Sequence, residues 1–249
     1  MPGTHALRKN GFTFRQFFVA HDQCGMKVST DGIILGAAAP LPTQGPVLDI
    51  GSGSGLIALM LAQRLQTAGQ AVTVEGVELD AAAVRQSRQN VAESPWAAAI
   101  QIHQGDILQW DPAFSRRYGL IVSNPPYFSP GVACRNDARA TARYTDSLTH
   151  EALLETARQR LLPTGQFCTI LPVEAGESLV TLAEQQGWFL RGLTLISELP
   201  QRKAHRLISV LSRQPGAVTH QQLMIRDDVQ QYSAAYRQLT EAFYLRKSG

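Results

Sequence analysis

Three glycines at alternate positions, Gly51, Gly53 and Gly55, follow an aspartate, Asp49, at the end of a short apolar stretch. Glycine adopts positive φ without strain and has no side chain to keep a ligand away from the backbone. A helical pattern begins at Leu56, so the turn would present the unpaired N–H groups of a helix N-terminus. The Asp49 carboxylate can accept hydrogen bonds from an ammonium group, whereas it would repel a pyrophosphate. The segment therefore predicts a binding turn for a cationic ligand that carries an amino-acid group.

The glycine spacing separates two classes of ligand. Nicotinamide and flavin folds use the fingerprint G-x-G-x-x-G, and in this chain Leu56 occupies the position of the last glycine of that fingerprint. S-adenosylmethionine carries the α-ammonium group that Asp49 would bind, so we expect this cofactor. The alternative is a turn that only links a strand to a helix, but three alternating glycines exceed what such a turn requires.

Acidic residues also follow the next two predicted strands. Glu78 lies beyond the glycine turn at the separation where this type of fold presents a carboxylate to ribose hydroxyls, and Asp80 is expected to cap the helix that follows. Asp106 could accept a hydrogen bond from the amino group of the cofactor's adenine, and Ile107 could cover the face of that ring. For Glu78 alone, a solvated carboxylate at a strand end is an equally good interpretation.

The motif Asn124-Pro125-Pro126-Tyr127 directly follows the apolar stretch 120–122. The two prolines stiffen the backbone and remove two N–H donors. The Asn124 side-chain oxygen and the Pro125 carbonyl could accept both N–H groups of a substrate amine and aim its lone pair at a methyl carbon, while Tyr127 stacks on a base. An amine that loses its proton late needs no strong base, so a neutral asparagine suffices. The alternative is a Pro-Pro turn with a core tyrosine.

An alternation of strand-like and helical stretches would position these motifs. Strands are predicted at 47–50, 72–79, 100–103, 120–122, 167–171, 189–196 and 207–211, and helices at 56–66, 81–92, 150–161 and 175–186. This rhythm is typical of parallel strands joined by crossover helices, so we expect one doubly wound α/β sheet of seven strands. Because ligands bind at the carboxyl ends of such strands, the glycine turn and Asn124 should face one crevice.

Three regions follow from this pattern. Residues 1–45 form an N-terminal appendage, 46–215 the core, and 216–249 a C-terminal extension packed on the core. The stretch 129–149 is expected to be a long active-site loop.

Composition limits the partners and the location. The chain has 249 residues with 23 Lys and Arg against 20 Asp and Glu, a net charge of +3, so attraction to nucleic acid would depend on a local patch. Its three cysteines, Cys24, Cys134 and Cys168, lack the paired spacing of a zinc site. We expect a cytoplasmic protein without a metal, a membrane segment or an obligate protein partner.

The motifs resemble those of class I methyltransferases that carry the N-P-P-Y signature. The resemblance extends over essentially the whole chain to the family of bacterial tRNA1(Val) (adenine(37)-N6)-methyltransferases, and the matching segments are 10–19, 26–36, 94–96, 142–144 and 242–245. It implies a Rossmann-like fold, an adenine beside the anticodon of one valine tRNA as the target, and an N-terminal element with Lys27, Thr30 and Asp31 that closes over the methionine end of the cofactor. Phe128, where a second tyrosine would also be at home, is a small departure.

Basic residues should hold the tRNA while the target adenine turns outward. Each is individually more typical of a solvated surface charge, and only their clustering is informative. The candidates are Arg8, Lys9, Arg15, Arg135, Arg139, Arg143, Arg202, Lys203, His205, Arg206, Arg246 and Lys247.

Three rival functions stay open on the sequence. An N-P-P-Y methyltransferase could act on a protein glutamine amide or an rRNA guanine, and only the terminal segments of this chain argue against that. A noncatalytic RNA-binding module would be expected to have lost Asp49 or Asn124, which are both present. A dehydrogenase is disfavoured by the glycine spacing.

Overall fold

The structure is a computed structural model, and it describes residues 9–25, 27–110, 116–125 and 148–245. Its strands are β1 Gly11–Thr13, β2 Phe18–Ala20, β3 Val47–Ile50, β4 Val74–Glu78, β5 Ile100–Gln104, β6 Tyr118–Ser123, β7 Leu161–Pro172, β8 Phe189–Ser197, β9 Arg206–Ser212 and β10 Thr219–Met224. Its helices are α1 Thr30–Ala38, α2 Leu56–Thr67, α3 Ala81–Ala92, α4 His150–Arg160, α5 Val173–Gln185 and α6 Ala234–Thr240.

One sheet of eight strands, in the order β10-β8-β9-β7-β6-β3-β4-β5, forms the centre of the molecule. Every neighbouring pair is parallel except the two that involve β9. Strand β9 runs the other way because a short loop without a helix joins it to β8, and a parallel pairing would need a longer crossover. All seven predicted strands are present in this sheet.

The predicted number of strands was seven, and the eighth is β10, within the segment assigned to the C-terminal extension. Only Leu223 of this edge strand is buried, so its sequence lacks the apolar alternation by which strands are recognised. Its pairing with β8, rather than its own composition, makes it a strand.

Helices cover both faces of the sheet, as predicted for a doubly wound fold. Helices α1, α2 and α3 enclose one apolar cluster, and α4 and α5 enclose the other. Strand β3 is buried on both faces, which explains its continuous apolar sequence around Asp49.

The two ends of the chain pack together on the first of these layers. The β1–β2 hairpin places Phe14 and Phe17 in contact, and Phe14 stacks on Tyr244 beyond α6. The Arg15 backbone N–H donates to the Phe243 carbonyl at 2.8 Å. Within the described residues, no helix is both long enough and apolar enough to cross a membrane.

Candidate active site

The order of the strands creates a crevice between the carboxyl ends of β3 and β6. The chain departs from β3 towards β4 on one side, while β6 and β7 lie on the other, which makes this a topological switch point. Ser123 pairs in register with Ile50, and its buried hydroxyl donates to the Ile50 carbonyl at 3.0 Å. The next residues, Gly51 and Asn124, therefore leave the sheet side by side.

The described part of the N-P-P-Y motif ends at its second residue. Asn124 is half-buried and Pro125 is buried at the carboxyl edge of the sheet. Pro126, Tyr127 and the predicted loop up to residue 147 lie outside the described residues. The placement of Asn124 beside the glycine turn agrees with the predicted common crevice, whereas the roles of the four residues stay predictions.

The backbone of the glycine turn has the positive φ angles that its three glycines predict. Gly51, Gly53 and Gly55 all have positive φ, at 72°, 52° and 80°. No described residue lies within 4 Å of a Cβ placed at Gly53, so open space borders this part of the backbone among the described residues. Gly55 is the N-cap of α2 and provides no side-chain cap, so the helix N-terminus keeps donors available for a ligand.

Asp49 is a buried carboxylate whose hydrogen-bonding capacity is left unfilled by the described residues. Its side chain is fully buried, and neither oxygen meets hydrogen-bond geometry with a described residue. Burial, followed by the nearby Glu78, raises its pKa from an ordinary value of 3.8 to about 7, and the Ala58 backbone N–H opposes this weakly. An unpaired buried acceptor is costly unless a partner arrives. An ammonium group would supply both the charge and the donors, so the site fits the amino-acid end of S-adenosylmethionine.

Glu78 binds the glycine turn itself. Its Oε2 accepts from the Gly53 backbone N–H at 2.8 Å, and its Oε1 accepts from the Asp80 N–H at 2.9 Å. Asp80 in turn caps α3 by accepting from the Ala83 N–H at 2.7 Å, which confirms the predicted cap. Each carboxylate oxygen of Glu78 can accept a second hydrogen bond, so the predicted ribose contact is compatible with this arrangement.

Asp106 and Ile107 follow β5 and have different environments. Asp106 is half-buried, and its Oδ1 accepts from the Leu108 N–H at 3.0 Å within a tight turn. Ile107 is almost fully buried in the second apolar cluster. Its side chain is thus engaged in the core, and its predicted contact with the adenine ring stays a prediction.

The start of α1 also lies at the carboxyl edge. Asp31 Oδ2 accepts from Arg206 Nε at 2.7 Å, and Arg206 begins β9 opposite the end of β7. Gly32 faces Leu56, the first residue of α2, closely enough that a Cβ would lie 3.1 Å from its side chain. Lys27 and Thr30, which are predicted to close over the cofactor, precede Asp31 in the chain, and both are exposed. The structure thus brings the N-terminal element next to the glycine turn.

The predicted RNA contacts divide into three groups. Lys9, Arg202, Lys203 and His205 are exposed, and the last three lie in the β8–β9 loop at the carboxyl edge. Arg206 pairs with Asp31, and Arg15 donates to the Glu241 carbonyl at 3.0 Å. The remaining six, Arg8, Arg135, Arg139, Arg143, Arg246 and Lys247, lie outside the described residues.

Two buried amides on α3 border the site and were not predicted. Asn90 contacts the glycine turn, and Gln86, one helical turn earlier, contacts the segment that follows β2. A signal existed in the sequence: both amides lie on the same face as the apolar Ala83, Val84 and Val91, at the i, i+4 spacing of a buried helix face.

Comparisons with known proteins agree with this geometry. Residues 33–180 match the family described as Methyltransferase small domain. The tRNA1(Val) (adenine(37)-N6)-methyltransferase of Pectobacterium carotovorum is 51% identical over 239 residues, covering 96% of this chain and 95% of that protein. The protein of the same name from Cronobacter sakazakii is 53% identical and covers 96% of each chain.

Two solved structures resemble the fold at low sequence identity. A predicted O-methyltransferase from Agrobacterium tumefaciens superimposes with a TM-score of 0.63 at 18% identity, covering 88% of this chain and all of that one. The glycopeptide N-methyltransferase MtfA complexed with S-adenosyl-L-methionine has a TM-score of 0.53 at 16% identity, covering 74% of this chain and 95% of that one. The fold is therefore that of a class I methyltransferase, and with relatives above 50% identity over nearly its whole length the chain belongs to the tRNA1(Val) (adenine(37)-N6)-methyltransferase family.

Proposed function

We propose that this chain transfers a methyl group from S-adenosylmethionine to the N6 amino group of an adenine in tRNA, with adenine 37 of tRNA1(Val) as the target. The family relationship supports the reaction and the substrate. The observation that carries it in the structure is the adjacency of Gly51 and Asn124, tied together by the Ser123 hydroxyl on the Ile50 carbonyl at 3.0 Å. With tRNA as the substrate, the proposed location is the cytoplasm.

The cofactor would be held by residues of three neighbouring strand ends and of α1. Asp49 would bind the ammonium group of the cofactor, and the glycine turn would let the cofactor lie close to the protein backbone. Glu78 would bind the ribose hydroxyls, and Asp106 would bind the adenine amino group. Lys27, Thr30 and Asp31 would close over the methionine end. When bound, S-adenosylmethionine would supply an electrophilic methyl group on a sulfonium, and the S–C bond would break to leave S-adenosylhomocysteine.

Asn124 and Pro125 would hold the substrate amine. The amide oxygen and the proline carbonyl each accept one N–H of the adenine amino group, which directs the nitrogen lone pair at the methyl carbon. Both acceptors are neutral, so they bind the N–H donors without having to remove a proton before the new N–C bond forms. Once methylated, the nitrogen is strongly acidic and releases its proton to solvent.

The experiment that tests this function is nucleoside analysis of treated tRNA. Purified tRNA1(Val) is incubated with the protein and isotope-labelled S-adenosylmethionine, then digested and examined by mass spectrometry. Labelled N6-methyladenosine is expected with the wild-type transcript and should be absent when position 37 is changed to guanosine. A label on a ring nitrogen or a ribose oxygen contradicts the mechanism. A label that appears only on a protein glutamine or an rRNA guanine assigns the chain to a rival substrate.

Gly53→Val is expected to abolish cofactor binding without unfolding the protein. Gly53 has a φ of 52° and open space where a Cβ would be, so a branched side chain would occupy the volume next to the turn that the cofactor needs. Gly69→Val is the matched control, because Gly69 has a φ of 69° and equally open surroundings at the far end of α2. Calorimetry with S-adenosylhomocysteine should show binding to the control and none to Gly53→Val. Equal affinity of the two variants would show that the cofactor does not bind next to Gly53.

Binding of tRNA is expected to weaken steeply with salt, while binding of the cofactor hardly changes. Contacts to phosphates release counterions, and S-adenosylmethionine carries no phosphate. Replacing exposed Arg202 and Lys203 together by alanine should lower the slope of log Kd against log salt by roughly 1.5. The measurement is fluorescence anisotropy of labelled tRNA at several salt concentrations. An unchanged slope would place the RNA away from the β8–β9 loop.

A further inference from the structure

Asn90 uses its whole amide to connect two separate segments at the active site. Its Oδ1 accepts from the Ala20 backbone N–H at 2.9 Å. Its Nδ2 donates to the Ala20 carbonyl at 2.9 Å and to the Ser54 carbonyl at 2.9 Å. Ala20 ends β2, and Ser54 lies inside the glycine turn. A single side chain, 2% exposed, thus joins the N-terminal hairpin to the turn.

Gln86 extends this connection by one helical turn. Its Oε1 accepts from the Gln23 backbone N–H at 3.1 Å and from the Cys24 thiol at 2.9 Å, and its Nε2 donates to Asp22 Oδ1 at 2.6 Å. Two amides of α3 therefore hold residues 20–24 against the helix. We call the described residues 20–25 and 27–31 the strap.

The strap passes along the carboxyl edge of the sheet and is held at both ends. Near α3, the Cys24 thiol has its pKa raised to about 12 by burial and then by the carboxylates of Glu78, Asp80 and Asp22. The thiol itself is held on the α3 side by Gln86 Oε1 at 2.9 Å. At the other end, Asp31 pairs with Arg206 at 2.7 Å. Between these points lie Lys27 and Thr30, the proposed closing residues.

We infer that Asn90 is a positioning residue for the cofactor, because it locks the glycine turn to the strap and so sets the distance between the two walls of the cofactor site. This inference rests on the proposed function for the identity of the cofactor. Asn90 itself is buried behind the turn and acts through Ser54 and Ala20. Arg206, in turn, positions the far end of the strap through Asp31.

Asn90 can have this effect because neither the glycine turn nor the strap is held in place by its own structure alone. The described residues of the strap between β2 and α1, 21–25 and 27–29, form no helix or strand, so their arrangement depends on their contacts. The turn is fastened to β4 at Gly51, Ser52 and Gly53, whereas Ser54 is fastened to α3 through Asn90. Without Asn90, three buried backbone groups lose their partner, and both walls gain freedom that the cofactor would have to remove on binding.

The test compares Asn90→Ala with Gln63→Ala. Gln63 is also an amide that is 2% exposed, and its Nε2 donates to the Ala242 carbonyl at 2.8 Å, away from the turn. Asn90→Ala should lose more thermal stability than Gln63→Ala, because Asn90 pairs with three backbone groups and Gln63 with one. Only Asn90→Ala should raise the Kd for S-adenosylhomocysteine, by at least about tenfold, and raise the KM for S-adenosylmethionine with little change in the KM for tRNA.

A second variant covers the case that Asn90→Ala does not fold. Gln86→Ala removes the hold on residues 22–24 but leaves the bonds to Ser54 and Ala20, so a smaller rise in the same Kd is expected. Cofactor Kd values equal to wild type in the folded variants of Asn90 or Gln86 would overturn the inference while leaving the function intact. Failure of the wild-type protein to bind S-adenosylhomocysteine would overturn the proposed function, and the inference with it.

Discussion

Asn124→Ala is expected to reduce kcat for tRNA methylation by about a thousandfold or more. The alanine removes one of the two acceptors that align the substrate amine, and alignment of a bound reactant contributes several kcal/mol to lowering the barrier. Affinity for S-adenosylmethionine should stay close to the wild-type value, because Asn124 is proposed to contact the adenine amine at the edge of the cofactor site. The pattern is the reverse of that expected for Asn90→Ala, in which the cofactor KM changes most.

Single-turnover kinetics with saturating cofactor, together with calorimetry of cofactor binding, would check this. Gln63→Ala is again a useful control, because it deletes a buried amide whose partner is the Ala242 carbonyl and not a residue of the crevice. Methylation by Asn124→Ala at the parental rate would show that the amine is aligned by other groups. A loss of cofactor binding equal to the loss of rate would assign Asn124 to the cofactor instead.

Asp49→Asn is expected to weaken cofactor binding by about 10- to 100-fold near pH 8, since it removes a charge-assisted hydrogen bond to the ammonium group. Binding by the wild-type protein should itself depend on pH. Burial raises the pKa of Asp49 to about 7, so below this pH the free protein must release a proton before it binds the cation. The affinity should therefore fall by up to about tenfold per unit as the pH decreases below 7. The variant should show no such dependence.

Asp49→Asn should weaken cofactor binding but should stabilise the cofactor-free protein at high pH. The pKa of Asp49 is about 7 in the folded chain and has an ordinary value of 3.8 in the unfolded one, so the folded state binds more protons between these values. Its contribution is fully present below pH 3.8 and is lost as the pH rises through 7, by as much as about 4 kcal/mol. Without cofactor, Asp49→Asn should therefore be more stable than wild type near pH 8, and this advantage should shrink towards pH 5.

Denaturant unfolding at several pH values would measure this effect. Glu75→Gln provides a contrast, since Glu75 is an equally buried carboxylate but accepts from the Tyr118 hydroxyl at 2.9 Å and pairs with Arg116. That variant should be destabilised at neutral pH and should keep the wild-type pH profile of cofactor binding. If Asp49→Asn is less stable than wild type at every pH, Asp49 has a structural partner, and its proposed role in binding the ammonium group is wrong.

The local motifs carried most of the information about the crevice. The three glycines and Asn124 follow strands that are buried on both faces, and Asp49 lies within the first of these strands. Continuous apolar stretches of this kind are recognisable without a structure. The topology of such a sheet then requires the carboxyl ends of its parallel strands to meet at one edge. The Asp80 cap followed from the same local logic, because a cap satisfies N–H groups only three residues away.

What the sequence by itself determined was therefore the fold class, the seven predicted strands and the glycine turn beside Asn124, since each follows from local patterns and from the parallel topology that those patterns imply. The tertiary structure decided the rest. Strand β10 forms through its pairing with β8. Arg206 forms an ion pair with Asp31, 175 positions away in the chain, and Asn90 hydrogen-bonds to Ala20, which is 70 positions away. Contacts of this length arise from packing and from the need to pair buried polar groups, and no local pattern specifies which distant group will be the partner.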